Sequence, residues 1–202
     1  MPDPSLRVSP QRLSQIAQRK LAQLGIATRP GGADGQTLVG EIGLGFPLRN
    51  PFTERAVDRV GFDVVGHDRL RLVDPAWLAG EEIPFFDFET VSGLAVSVAG
   101  AHDRRVREAQ AAVTRLRQAG FVAVVDGETL RVAVALQTAH AVFDLEWAPP
   151  DGLRVARVVT HTGLALRWPQ ENERVALGDF PERIDLEVHL DDLAERTLRT
   201  AG

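Results

Sequence analysis

The chain has 202 residues, 44% of them apolar and 25% charged, with 12 Pro, 18 Gly and a formal net charge of −5. This composition excludes a disordered, collagenous or low-complexity chain, and the lack of cysteine excludes disulfides, thiolate metal sites and cysteine nucleophiles. No apolar run reaches the ~18–20 residues that span a bilayer, and the opening MPDPSLRVSP lacks the basic-then-apolar order of a secretory signal, so a cytoplasmic protein without a membrane partner is expected.

The first helix is expected over 10–24. Ser9-Pro10 suits a helix start, Leu13, Ile16, Ala17, Leu21 and Leu24 recur at helical spacing, and Gly25 can end it. Residues 37–46 read as a strand, because Gly40, Gly43 and Gly45 make a poor helix. Asn50-Pro51 looks like a second cap, with Phe52, Ala56, Val57 and Val60 on one face of a helix over 51–60 that Gly61 closes. A hairpin follows, 62–65 and 69–73 around Gly66-His67-Asp68. Asp74-Pro75 then opens a single helical turn through Trp77 and Leu78. Glu81-Glu82-Ile83-Pro84 reads as a seam that divides the chain into units 1–82 and 83–202.

In the second unit, 85–91 reads as a strand that can run on to Val98. A helix over 103–119 buries Val106, Ala109, Val113 and Leu116 and stops at Gly120. Asp126-Gly127 signals a two-residue hairpin turn between 121–125 and 128–136. Strands 141–147, 153–161 and 164–168 follow, separated by turns near Thr138, at 149–152 and at Thr162-Gly163. A polar loop over 169–181 leads to a final strand, where Ile184, Leu186, Val188 and Leu190 alternate with Asp185, Glu187 and His189. Asp191 then caps a short helix. Short turns dictate antiparallel pairing, and one polar face per strand fits a meander sheet with helices on its other face. The fold class is α+β.

Three constellations carry functional expectations. With 38–45 taken instead as a second helix, the order helix 10–24, helix 38–45, helix 51–60 and hairpin 62–73 resembles a winged helix-turn-helix, which implies DNA binding with Arg49, Arg55 and Arg59 on phosphates or base edges. Charge concentrates there too: residues 1–60 carry a net +3 and the remainder −8. On a final strand, Asp185, Glu187 and His189 would share one face at ~6.6–6.8 Å steps, a row suited to a divalent metal. Asp87 and Glu89 lie in FFDFET, which resembles the Asp-x-Glu-Thr motif of the DEDD family of 3′–5′ exonucleases, whose two carboxylates hold catalytic metals. The plainer account of both rows is the solvated face of an amphipathic strand. The plan of helix, meander and C-terminal helix also occurs in secretion-chaperone-like folds, a likeness at fold level alone.

The sequence favours a non-catalytic adaptor that binds another protein or its own copy and uses no cofactor. A DNA-binding protein built on the N-terminal third is the second reading. A metal-dependent hydrolase or nuclease is the third.

Overall fold

The structure is a computed structural model, and it describes residues 10–31, 37–149, 152–168, 174–180 and 182–201. Among these are three α-helices and two antiparallel five-stranded meander sheets, so the fold is α+β. The chain divides into two compact units, up to Val106 and from Arg107 onward.

In the first unit, α1 (Pro10–Gln23) precedes β1 (Thr28–Gly31), β2 (Thr37–Arg49), β3 (Ala56–Val65), β4 (Arg69–Asp74) and β5 (Glu82–Pro84), paired in chain order. Ala17 and Leu21 on α1 and Leu24 in the turn just after it are buried, matching the helical spacing of the sequence. Leu38, Ile42, Leu44 and Leu48 of β2 and Leu70 and Leu72 of β4 are buried and alternate with more exposed residues, so the sheet has one core face. Trp77 and Leu78, in a single 3-10 turn at Ala76–Leu78, add to this core. Residues 82–84, expected at a seam, form β5 and pair with β4.

The helix expected over 51–60 is absent. Asn50 does cap a turn: its Oδ1 accepts the Phe52 N–H at 2.9 Å and its carbonyl accepts the Glu54 N–H at 2.9 Å. Glu54 then takes a left-handed backbone (φ 59°), and the chain reverses into β3. From Ala56 onward the β-branched and aromatic residues pair with β2 in a long hairpin, where a helix would have had only one short face to bury. Gly61, read as a helix stop, lies inside β3 at a β-bulge opposite β4.

Helix α2 (Val91–Gln118) replaces the strand expected over 85–98. Thr90 caps it, its Oγ1 accepting the Gly93 N–H at 3.2 Å. Leu94, Ala95, Val98 and Ala101 are buried while Val96 is 66% exposed, a helical rather than an alternating pattern. Arg104 pairs with Glu81 at 2.8 Å, and Arg105 donates to the Ala79 carbonyl at 3.1 Å, tying this helix to the β4–β5 connection.

In the second unit β6 (Ala123–Asp126), β7 (Arg131–Gln137), β8 (Ala141–Ala148), β9 (Gly152–Thr160) and β10 (Arg174–Ala176) again pair in chain order. The expected meander is therefore present through β9. The turn at 149–152 falls partly outside the described residues. The polar loop expected over 169–181 contains β10 and a 3-10 turn at Leu177–Asp179. The stretch 164–168 makes a single bridge, Ala165 to Val159, instead of a full strand. Ala109, Ala112 and Leu116 of α2 share a core with Val132, Val134, Leu136, Phe143 and Leu145 of the sheet. The expected helix cover is thus present, with Val106 only half-buried and Ala112 taking a core position.

The final strand expected over 184–190 is the start of α3 (Arg183–Ala201). Leu186, Leu190 and Ala194 are fully buried in the same core, one turn apart, whereas Ile184 and Val188 are 54% and 55% exposed. A period of four residues satisfies this segment where a period of two would have put Ile184 and Val188 inside. Each unit thus has a helix before its meander and a helix after it, with α2 supplying the second helix of one and the first of the other.

Candidate functional site

The chemistry expected from sequence disperses once the elements are placed. On α3, Asp185 and Glu187 are two residues apart and point to opposite sides, because each residue turns the helix by about 100°. Asp185 Oδ2 accepts the Glu182 N–H at 3.2 Å, the back-reaching half of a capping box. Glu187 accepts from Arg183 at 2.5 Å, and the ring of His189 packs 4.9 Å from that of Phe180. Asp87 lies in a turn and Glu89 in a bend, both exposed ahead of α2, so the FFDFET string is not a strand that presents two carboxylates side by side. Among the described residues no group of three or more His, Asp or Glu side chains is placed to hold a metal ion.

Arg55 and Arg59 also leave the helix expected over 51–60, and Arg49 no longer precedes one. Arg49 ends β2 and Arg55 follows the β2–β3 turn, its guanidinium 5.7 Å from the Trp77 ring centroid. Arg59 is on β3 and pairs with Glu41 at 3.6 Å. The helix that would have entered a major groove is a strand, so the winged-helix order is not present.

A polar cluster that sequence spacing did not reveal joins the β7–β8 turn to α3. Asp191 does not cap a helix start; it lies inside α3. Its Oδ1 accepts the His140 N–H at 3.0 Å, and its Oδ2 lies 3.1 Å from His140 Nδ1. A carboxylate only accepts, so Nδ1 carries the hydrogen. His161 Nε2 donates to the Thr138 carbonyl at 2.9 Å. Burial pushes the Asp191 carboxyl up, but hydrogen bonds from the Thr138 hydroxyl and from the His140 backbone and ring, with the charge of that ring, hold it below its ordinary 3.8. Every named contact of Asp191 fastens the turn to the helix, which is a structural role.

A concavity lies on the first sheet, on the face away from the α1 core. It encloses about 660 Å³ and is lined by residues of β1 to β4 and by Ala27. Its centre is Gly61, which faces outward between the buried Val60 and Phe62. Glu41 lies directly opposite Gly61 on β2 and Asp74 on β4. The β4 bulge inserts Val73, so Val73 and Asp74 are consecutive and both exposed. Gly40 stays bare for a different reason. A Cβ there would meet Phe62 Cζ at 2.7 Å and the Ala27 carbonyl at 2.8 Å, so the aromatic ring occupies the glycine's space from the core side. Gly61 thus leaves bare backbone at the floor, Val39 and Val73 give apolar walls, and Arg29, Glu41, Arg59, Asp63 and Asp74 ring it with both charge signs. Asp63 and Asp74 make no ion pair among the described residues, whereas Glu41 and Arg59 neutralise each other. In the sequence, Gly40 read only as a mark of a strand and Gly61 only as a helix stop.

Compared with protein families, curated proteins and solved structures, the chain matches none.

Proposed function

We propose that the protein is a non-catalytic binding module that takes an extended segment of another protein in the groove around Gly61. The observation that carries this reading is the groove itself: bare backbone at Gly61, two half-exposed valines and a rim of mixed charge. An extended peptide offers alternating apolar and charged side chains, which the valines and the rim complement, while the missing side chain at Gly61 lets its backbone approach closely. The rim also favours protein over nucleic acid. Glu41, Asp63 and Asp74 outnumber Arg29 and Arg59, so a phosphate backbone would meet net repulsion.

The test is a photo-reactive amino acid placed at Val73 in the full chain and expressed in the native host, with exposed Leu164 of the second unit as control. One discrete protein adduct is expected from Val73, reduced when Glu41→Lys reverses a rim charge and absent from Leu164. Equal adducts from both positions, or none from Val73, would contradict the reading.

A further inference from the structure

Four strands end the two sheets: β1, β5, β6 and β10. Each leaves one side of its backbone without a partner strand, and proteins blunt such edges with proline, charge or brevity. Three of the four are blunted here. β1 contains Pro30 beside Arg29, β5 is three residues with Pro84 and Glu82, and β10 is three residues opening with Arg174. β6, Ala-Val-Val-Asp, has no proline and no charge before its last residue. Val122 just ahead of it is 75% exposed and Val124 within it 62% exposed.

We propose that β6 pairs antiparallel with β6 of a second copy of this chain, about a two-fold axis through Val124. A two-fold contact uses one patch for both partners, so the patch must match itself. About Val124 it does. Val124 faces its own copy on the outer side. On the inner side Ala123, buried in the core, falls opposite Val125, which packs half-buried against that core. A small residue therefore meets a larger one, and the core continues across the junction. Asp126 falls opposite Val122, so no like charges are directly opposed. An unrelated strand has no such built-in register.

Area sets the extent of the contact. A four-residue strand spans only ~13 Å, too little for the ~1,200–2,000 Å² of a stable interface. Strand pairing of this extent, with the exposed Val122 and Val124 taken out of water, gives a concentration-dependent dimer instead of an obligate one. This proposal stands apart from the groove around Gly61, which is on the other sheet.

Sedimentation velocity of the full chain from low-micromolar to sub-millimolar concentration tests it, with wild type, Val124→Lys and Val122→Glu compared. Both positions are exposed, so melting temperatures should be unchanged. Wild type is expected to move from monomer to dimer and both variants to stay monomeric and folded. A wild type that is monomeric throughout, or a dimer that survives both substitutions, overturns the proposal. The chain has no cysteine, so single-cysteine variants supply a second readout independent of the lysine variant's fold. Val124→Cys should cross-link to its own copy on oxidation far faster than Leu164→Cys, since paired strands bring Cβ atoms to ~4.5–5.5 Å. Equal rates from the two positions also overturn it.

Discussion

Gly40 and Gly43 are on the same strand, and alanine at the two should move stability in opposite directions. At Gly40 a Cβ would sit 2.7 Å from the Phe62 ring and 2.8 Å from a backbone carbonyl, and Phe62 is only 1% exposed, so the ring has little room to withdraw. Overpacking of this kind costs about 1–3 kcal/mol, offset by the ~0.5–1 kcal/mol that alanine gains over glycine in a strand. Gly40→Ala should therefore destabilise by about 0.5–2 kcal/mol. At Gly43 no atom lies within 4 Å of the added carbon and the backbone is not left-handed, so Gly43→Ala should stabilise by about 0.4–1 kcal/mol through the unfolded state. Urea unfolding followed by tryptophan fluorescence, to which buried Trp77 of the same unit contributes, measures both. With an m-value of ~2 kcal/mol/M the midpoints should separate by about 0.5–1.5 M. If Gly40→Ala is as stable as Gly43→Ala, Phe62 is not seated against Gly40 of β2.

Two further outcomes follow from the second unit. Leu116 is fully buried between α2 and the sheet, so Leu116→Ala should cost about 2–5 kcal/mol in denaturant unfolding. An unchanged midpoint would remove α2 from that core. Asp191 is held below its ordinary 3.8 by its bonds to Thr138 and His140, so the folded state prefers the carboxylate. The contribution is complete above the unfolded-state pKa and is lost as pH falls through the lower folded value. Asp191→Asn should cost about 1 kcal/mol near neutral pH. Its difference from wild type should shrink below pH ~4, as read from melting temperature against pH. A difference that is constant down to pH ~2 would show that these bonds do not depend on the ionised carboxyl.

The sequence reported helix faces well where the apolar stripe was interrupted by charge, as in α1 and in α2 after Asp103. It misreported segments in which valine and isoleucine alternate with polar residues, at 91–98 and 184–190. There, two patterns of period two and period four coincide over a few residues, and only tertiary contact chose between them: Leu186 and Leu190 fit both, while Ile184 and Val188 fit only a strand. The error at 51–60 has a separate origin. Asn50-Pro51-Phe52-Thr53-Glu54-Arg55 and Asp126-Gly127-Glu128-Thr129-Leu130-Arg131 form the same loop, one helical turn closed by a left-handed residue, Glu54 (φ 59°) or Leu130 (φ 56°). In both, the first side chain accepts an N–H two residues on, and the threonine hydroxyl accepts the arginine N–H at 3.4 Å. Read locally, one looked like a helix start and the other like a two-residue turn. The groove was illegible because it depends on register: Gly61 matters only once it faces Glu41 and Asp74. The Asp191–His140 contact was equally hidden, its partners being 51 residues apart.

Methyl-resolved NMR of the full chain, titrated with the segment recovered from the Val73 adduct, reads out whether the face around Gly61 receives a partner segment. If it does, the Val39 and Val73 methyl signals should move in a saturable way while those of Val124 and Val188 stay in place. Val73→Arg should abolish the response without lowering the melting temperature. Saturable shifts confined to Val124 and Val188, with Val39 and Val73 unmoved, would contradict binding at that face.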